Sequence, residues 1–152
     1  MFLLLASCGP PLPVLRDLTE DLGQAEVCTV PEESCIDGPR AAELHGFDLP
    51  GVTRVLTLPP ATASNLYLRL PDEGGLALEY RGMDAGLAID AVRPGGEAVR
   101  LHASGATGSA WRTVEVSTAG LAGQVVRLAF TVTPVAGRPP GVVLVRKPAL
   151  RG

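Results

Sequence analysis

From residue 52 to the end of the chain, apolar and polar residues alternate in short segments that turn residues such as glycine and proline separate. A period of two is typical of strands that bury one face and leave the other to solvent. The pattern predicts eight strands, at Val52–Leu58, Asn65–Leu70, Leu76–Arg81, Gly86–Arg93, Glu97–Ala103, Trp111–Ser117, Gln124–Thr133 and Val142–Leu150.

The alternation gives each predicted strand an apolar face and a polar face. Leu66 and Leu68 point to one side of their strand, whereas Tyr67 and Arg69 point to the other. Two facing antiparallel sheets bury all such apolar rows at once. We therefore predict an all-β fold, an antiparallel β-sandwich (jelly roll) of about eight strands.

A different period precedes the strands and predicts a short N-terminal helix at 14–22. Leu15, Leu18 and Leu22 would lie on one face of this helix, and Gly23 suits its end. A single helix of this length would cover one end of the sandwich.

Composition narrows the class of protein. Hydrophobic residues make up 46% and charged residues 19% of the chain, as in a folded domain and unlike a disordered tail. The formal net charge is −3, so we expect no nucleic acid as a partner. A length of 152 residues suits one domain, and we assign 14–152 to it. Within this domain, residues 31–51 look irregular because of their prolines and glycines.

The chain opens with an apolar run that ends in Leu5–Cys8 (Leu-Ala-Ser-Cys). This segment resembles the bacterial lipoprotein box, which implies a leader at 1–8 and a lipid on Cys8. Residues 9–13 would then be a Pro-rich tether. The resemblance implies a lipid-anchored, extracytoplasmic protein of the bacterial cell envelope. We expect membrane contact through the lipid only, because no apolar stretch of about 20 residues is present.

The leader leaves an alternative open. No Lys or Arg precedes Arg16, and Phe2–Ala6 is shorter than the ~7–15 residues of an ordinary apolar region. A start codon placed too far downstream, which truncates the leader, explains both features. The alternative is the apolar leader of a cytosolic protein that carries a chance cysteine.

Cys28 and Cys35 flank a turn-rich segment whose ends can approach each other, so we predict a disulfide between them. The chain has only two histidines, His45 and His102, and neither is adjacent to these cysteines in sequence. A zinc site on this pair would therefore need unusual ligands. Two unpaired thiols in a reducing cytosol are the alternative.

The sequence does not indicate an enzyme. No Gly-x-Ser-x-Gly elbow is present. A set of Ser104, His102 and Asp90 can be drawn, but any chain of this size permits such a drawing. We therefore expect no catalytic residues and no cofactor.

One polar face is a candidate for ligand binding. Alternation places a single aromatic residue, Tyr67, outward, and sugar-recognition surfaces need exposed rings. If the strands are neighbours, further outward residues join it, namely Arg69, Glu79, Arg81, Asp90, Arg100 and His102. The alternative is a solvated sheet with weak cross-strand ion pairs.

The last third of the chain carries a resemblance to a known family. The segment Trp111–Phe130 (WRTVEVSTAGLAGQVVRLAF) resembles the signature of jelly-roll domains of the galactose-binding-like and carbohydrate-binding-module type, and Val142–Leu150 is similar to their closing strand. The resemblance implies that Trp111 packs across the sandwich edge. Such domains often bind calcium near the first and last strands. Residues 142–152 contain no Asp, Glu or Asn, so we expect no metal.

These observations favour a non-catalytic cell-envelope lipoprotein module that binds a glycan or an envelope polymer. The alternative is a structural or assembly protein that packs against another envelope protein. The layout also resembles accessory modules of glycan-active enzymes such as sulfatases. A fold alone does not decide between these functions.

Overall fold

The structure, a computed structural model, describes residues 12–46 and 54–152. The leader with Cys8, most of the tether and the start of the first predicted strand lie outside the described residues. The described strands are β1 (Val14–Asp17), β2 (Glu26–Thr29), β3 (Cys35–Ile36), β4 (Val55–Leu58), β5 (Thr62–Arg69), β6 (Gly75–Met83), β7 (Ala85–Val92), β8 (Ala98–Ser104), β9 (Arg112–Ser117), β10 (Val125–Pro134) and β11 (Val142–Arg151). Two short α-helices, α1 (Thr19–Gly23) and α2 (Gly38–Leu44), and a 3₁₀ helix at Ala119–Leu121 complete the described elements.

The strands form two antiparallel sheets. The five-stranded sheet has the order β1-β11-β6-β9, with β4 also paired to β11. The six-stranded sheet has the order β3-β2-β5-β10-β7-β8. Most sequence neighbours lie in opposite sheets, because the chain changes sheet after β1, β3, β4, β5, β6, β8, β9 and β10. The predicted antiparallel β-sandwich is confirmed.

The inward rows of the two sheets form one core. Leu128 and Phe130 of β10 are fully buried, as are Leu87 and Ile89 of β7 and Tyr80 of β6. Each of these positions follows the period of two that the sequence shows. All eight predicted strands are present, with ends that differ by a few residues from the prediction.

The N-terminal helix predicted at 14–22 is wrong in its first half. Val14–Asp17 is a strand that pairs with the end of β11. The helix begins at Thr19, where the Asp17 carboxylate accepts a 2.8 Å hydrogen bond from the Thr19 backbone N–H. Leu18 and Leu22 are buried as expected, but Leu15 is 56% exposed. Strand pairing with the free edge of β11 therefore decides the structure of Val14–Asp17, although the spacing of these leucines is typical of a helix.

Two strands and a helix lie in segments that the sequence left unassigned. β2 extends the six-stranded sheet beside β5, and β3 pairs with β2. β3 and α2 both lie within residues 31–51, so the expectation that this stretch is irregular is wrong there, and α2 has a proline in its first turn. β2 and β3 are too short for an alternation to appear in the sequence.

Cys28 and Cys35 form a disulfide that links β2 to β3, as predicted. The chain between them is a tight hairpin in which the Thr29 side chain accepts hydrogen bonds from the backbone N–H groups of Glu33 and Ser34. None of the described helices is long and apolar enough to cross a membrane.

Candidate functional site

The centre of the six-stranded sheet presents five outward side chains on the adjacent strands β5 and β10. Tyr67 lies directly opposite Arg127, and Arg69 lies directly opposite Val125. Asn65 continues the outward row of β5. We call the outward surface of Asn65, Tyr67, Arg69, Val125 and Arg127 the Tyr67 face.

The inward leucines of β5 hold this surface in place. Leu66 and Leu68, on either side of Tyr67 in the chain, are buried in the core, so the Tyr67 ring must point outward. Its exposed fraction is 67%, the highest of the large hydrophobic side chains described as exposed. Val125 is 48% exposed. An aromatic ring and an aliphatic side chain thus remain open to solvent on a rigid sheet.

Asn65 fixes the position of Arg127. The Asn65 Oδ1 accepts a 3.2 Å hydrogen bond from Arg127 Nη1. The Asn65 Nδ2 donates to the Glu26 carboxylate at 3.3 Å and to the Cys28 sulfur at 3.6 Å. Asn65 itself is only 3% exposed. The buried amide therefore holds the guanidinium from below and connects it to the disulfide hairpin.

Arg69 is held by a backbone hydrogen bond at the end of the Tyr67 face that is opposite to Asn65. Its Nη1 donates a 2.6 Å hydrogen bond to the backbone oxygen of Gly123, in the turn before β10. Within residues 12–46 and 54–152, neither Arg69 nor Arg127 forms an ion pair with a carboxylate. Two fixed cationic groups therefore flank Tyr67.

Asp90 and Arg100 lie on the same outer surface, two and three strands beyond Asn65 respectively. They pair with each other at 2.6 Å between Asp90 Oδ1 and Arg100 Nε. Asp90 is aligned with Ala129 of β10, which is aligned in turn with Asn65. These two predicted residues join the surface that carries Tyr67, but they neutralise each other.

Glu79 and Arg81 do not join that surface. Both lie on the outer side of β6 in the five-stranded sheet, opposite Arg146 and Leu144. Two nitrogens of Arg146 donate to one oxygen of Glu79, at 2.9 and 2.7 Å. These hydrogen bonds, together with the charges of Arg146 and Lys147, lower the pKa of the Glu79 carboxyl. The single polar face expected from the sequence is therefore split between two sheets.

Trp111 also lies on the outer side of the five-stranded sheet. The guanidinium carbon of Arg146 stands 4.0 Å from the centre of its ring, in a cation–π contact. The indole is half-buried. Packing across the sandwich edge, which the resemblance implied for Trp111, is not what the structure shows. One face of the ring is covered by an arginine that Glu79 already neutralises.

His102 points toward the interior, contrary to the prediction. β8 contains a bulge at Leu101, so that His102 is aligned with the inward Ile89 while Arg100 is aligned with Asp90. Its ring packs edge-on against Tyr80, with 5.9 Å between ring centres. His102 Nε2 lies 2.7 Å from the Ser104 hydroxyl, which also bonds the Tyr80 hydroxyl. Burial, and secondly the charge of Arg112, lower the pKa of His102.

Ser104, His102 and Asp90 do not come together as a catalytic triad. Ser104 and His102 face inward, whereas Asp90 faces outward and pairs with Arg100. One group of three potential metal ligands occurs among the described residues, at Glu26, Cys28 and Cys35. Because the two sulfurs are joined in a disulfide, no thiolate of this group can hold a metal.

The described residues also form concave regions at other places on the surface, and two of these are considered as binding sites. One, of about 270 Å³, is mostly apolar and lies at one end of the sandwich, between Val30, Val132 and Pro139. The other, of about 460 Å³, lies between β1 and the Lys147–Pro148 segment. No aromatic side chain of the described residues lines either region. The Tyr67 face therefore remains the best candidate for stacking on a ligand.

Sequence reasoning missed Arg127 and Asn65 as residues of the site. The signal for Arg127 is present, because it alternates with the buried Val126 and Leu128 and must point outward. Its alignment with Tyr67 depends on the pairing of β5 with β10, which are separated by four other strands in the sequence.

No protein-family model matches the sequence, and no curated protein matches it. Among solved structures, the chain is similar to a mutant of a family 29 carbohydrate-binding module, with a TM-score of 0.50 and 12% identity. The matched region covers 63% of this chain and 64% of that module, so it spans less than two thirds of the module. A second family 29 mutant, complexed with cellulohexaose, has a TM-score of 0.49 and 12% identity over 63% of this chain and 68% of its own.

At this identity the likeness concerns the backbone fold and assigns no residue a role. It agrees with the two antiparallel sheets described above. The chain therefore has a β-sandwich fold similar to that of family 29 carbohydrate-binding modules.

Proposed function

We propose that this chain is a non-catalytic module that binds a glycan on the Tyr67 face. The observation that carries the proposal is the position of Tyr67, a ring that is 67% exposed at the centre of a rigid sheet. The similarity of the fold to carbohydrate-binding modules supports the proposal.

The chemistry of the face suits a sugar. The flat side of a pyranose presents C–H groups that pack on an aromatic ring, while its hydroxyl groups need fixed polar partners at the rim. Tyr67 supplies the ring, and Arg69 and Arg127 supply N–H donors that are held in place by Gly123 and Asn65. Since the ring already stands outward, binding requires no rearrangement of the sheet.

The test is affinity electrophoresis of the whole chain through gels that contain soluble neutral and anionic polysaccharides. We expect Tyr67→Ala to weaken retention by about tenfold or more, since a central aromatic contact contributes about 2 kcal/mol. Tyr67→Phe keeps the ring and should keep most of the retention. Trp111→Ala is the matched control, because it removes an aromatic residue from the other sheet. Equal retention of Tyr67→Ala and the wild type would contradict the proposal.

We also propose that Cys8 carries a lipid that holds the module on the extracytoplasmic side of the bacterial envelope. The Cys28–Cys35 disulfide supports this location, because the cytosol keeps thiols reduced. Expression in a bacterial host with an upstream export signal, followed by membrane fractionation, tests the anchor. Cys8→Ser should move the protein to the soluble fraction, and unchanged membrane association would contradict the anchor.

Packing against another envelope protein is the second candidate function. It is favoured by the edge strand β1, where Val14 and Leu15 are 51% and 56% exposed. Exposed strand edges are common sites for the addition of a partner's strand. A photo-crosslinking residue at position 15 should then capture a protein in intact cells, whereas the same residue at position 67 should not. Capture at neither position would contradict this second function.

A further inference from the structure

We infer that the glycan held by the Tyr67 face is anionic, a polymer whose sugars carry carboxylate or sulfate groups. This inference rests on the proposed function and adds to it the charge of the ligand. It is carried by the two arginines beside the exposed ring of Tyr67, neither of which forms an ion pair among the described residues.

Six other cations among the described residues form an ion pair with a carboxylate. On the five-stranded sheet, Glu79 accepts from Arg146 at 2.7 Å and lies 3.6 Å from Lys147. On the six-stranded sheet, Asp90 neutralises Arg100. Such pairs leave little charge for a ligand, and this is the usual state of a solvated sheet surface.

Arg69 and Arg127 differ from these cations because neutral oxygens hold their side chains, as backbone oxygens also hold Arg81 and Arg151 elsewhere on the surface. Arg69 and Arg127 in addition lie beside the exposed ring of Tyr67. Each donates one N–H, to the Gly123 backbone oxygen and to the Asn65 amide oxygen respectively. A guanidinium has five N–H donors in a planar fork, so most donors of both groups remain for a ligand. A neutral acceptor fixes the position of the guanidinium group without neutralising its charge.

Two carboxylates near the anchors of these arginines, Glu26 and Asp72, form no ion pair with them. Glu26 accepts from the Nδ2 of Asn65, on the far side of the amide from Arg127. Asp72 lies beside Gly123 but is not within ion-pair distance of Arg69. The five residues of the Tyr67 face therefore carry two positive charges and no negative one, on a chain whose formal net charge is −3.

The positions of the three side chains fit one charged sugar. Arg127 is directly opposite Tyr67, and Arg69 is two residues further along β5, so the two arginines are diagonal neighbours. Diagonal positions on adjacent strands are roughly 7–8 Å apart, within reach of long side chains. A pyranose stacked on Tyr67 would then place a ring substituent between two guanidinium groups. Carboxylate and sulfate accept paired N–H donors from arginine, whereas a hydroxyl offers a single oxygen.

The test measures retention of the whole chain in gels that contain polygalacturonate, dextran sulfate or dextran. Polygalacturonate carries carboxylates and dextran sulfate carries sulfates. Dextran has the backbone of dextran sulfate without the charged groups and is the neutral control. We expect retention by at least one anionic polymer and none by dextran. Whether polygalacturonate or dextran sulfate retains the chain distinguishes a carboxylate ligand from a sulfate ligand. Retention should also weaken as the salt concentration rises, because charge–charge attraction is screened.

Two variants and a matched control locate the charges that matter. Arg69→Gln and Arg127→Gln should each reduce retention by about tenfold or more, since each removes a charge-assisted contact. Arg112→Gln removes the same charge from an exposed position on the five-stranded sheet and should change retention less than twofold. Unchanged thermal unfolding of each variant shows that it is folded.

The outcomes separate this inference from the proposed function. Dextran retention that Tyr67→Ala abolishes, with no effect of Arg69→Gln or Arg127→Gln, would overturn the anionic ligand and leave glycan binding intact. Anionic retention that Arg112→Gln weakens as much as the face variants do would also overturn the inference. Retention by none of the neutral and anionic polymers would overturn the proposed function, and the inference with it.

Discussion

Asn65 accepts a 3.2 Å hydrogen bond from the guanidinium of Arg127 across the pair of strands at the centre of the six-stranded sheet. The other end of the same amide donates to Glu26 and to the Cys28 sulfur. One buried amide therefore joins the disulfide hairpin to the side chain that lies opposite Tyr67. Stability and ligand binding are linked at this residue.

The first prediction concerns Asn65 as the residue that positions Arg127. Asn65→Leu should lower the free energy of unfolding by about 1–3 kcal/mol, because it leaves buried partners without a hydrogen bond. It should also weaken glycan retention, although Asn65 is only 3% exposed. Urea denaturation and affinity electrophoresis measure the two effects.

A double-mutant cycle separates positioning from a general structural effect. If Asn65 acts through Arg127, then Asn65→Leu should add little loss of retention to a chain that already carries Arg127→Gln. Fully additive losses would show that Asn65 acts on the ligand by another route.

The second prediction concerns the Cys28–Cys35 disulfide. In the loop-entropy description, a bridge that closes so short a loop stabilises the fold by roughly 2–3 kcal/mol. The double variant Cys28→Ser/Cys35→Ser should lose about that much in urea denaturation. Cys8→Ser is the control and should unfold like the wild type. A double variant as stable as the wild type would contradict the prediction.

The third prediction concerns acid sensitivity and His45. This imidazole is fully buried, with Nδ1 donating to the Gly23 oxygen at 3.0 Å and Nε2 at 2.9 Å from the Ser64 hydroxyl. Burial is the main cause that lowers the pKa of His45 in the folded chain. Below about pH 6.5 the unfolded chain therefore binds a proton that the folded chain resists, so stability falls as the pH falls.

Urea denaturation at pH 7.5 and pH 5.5 tests this sign. The wild type should be less stable at pH 5.5, and His45→Gln should lose most of that difference while being less stable at both pH values. His102→Gln is the matched control, and it should retain most of the difference because His102 is only partly buried. An acid sensitivity that His45→Gln leaves unchanged would contradict the assignment.

The fourth prediction concerns Thr118, whose buried hydroxyl has no hydrogen-bond partner among the described residues. Thr118→Val removes this hydroxyl at nearly constant shape and should raise the free energy of unfolding by about 1 kcal/mol. Thr62 provides the contrast, since its hydroxyl donates a 2.7 Å hydrogen bond to the Pro59 oxygen. Thr62→Val should therefore destabilise by a similar amount. Thermal unfolding of the two variants should shift in opposite directions, and a destabilised Thr118→Val would contradict the account.

The strands of the sandwich could be predicted because their burial follows the chain locally. Leu66 and Leu68 face the core and Tyr67 faces solvent for reasons contained in five consecutive residues. The same local pattern misplaces His102, because the bulge at Leu101 shifts the alternation by one residue. A bulge depends on how β8 meets β7, which no single strand reveals.

The composition of the binding face could be predicted only in part. Tyr67 and Arg69 share a strand, so alternation puts them on one side. Glu79 follows a crossing between the sheets, which separates it from Tyr67 by the thickness of the sandwich. Arg127 joins Tyr67 through a pairing of strands that are distant in the sequence. Local patterns determine which side of its own strand a residue faces, whereas long-range strand pairing determines its neighbours.

In the N-terminal segment, a local pattern predicts the wrong type of secondary structure. Leu15, Leu18 and Leu22 have a helical spacing, and only the last two use it. Val14–Asp17 instead pairs with the free edge of β11. The sequence of Val14–Asp17 alone does not show that this edge is available. Tertiary pairing decides the structure of such a short segment.

The most direct test of the account is a titration of the ¹⁵N-labelled whole chain with oligogalacturonides, followed by amide NMR. We predict that the largest chemical-shift changes fall on the outward residues of β5 and β10, around Tyr67 and Arg127, and that Arg127→Gln removes them. Changes confined to β6 and β11, around Glu79 and Arg146, would contradict the account.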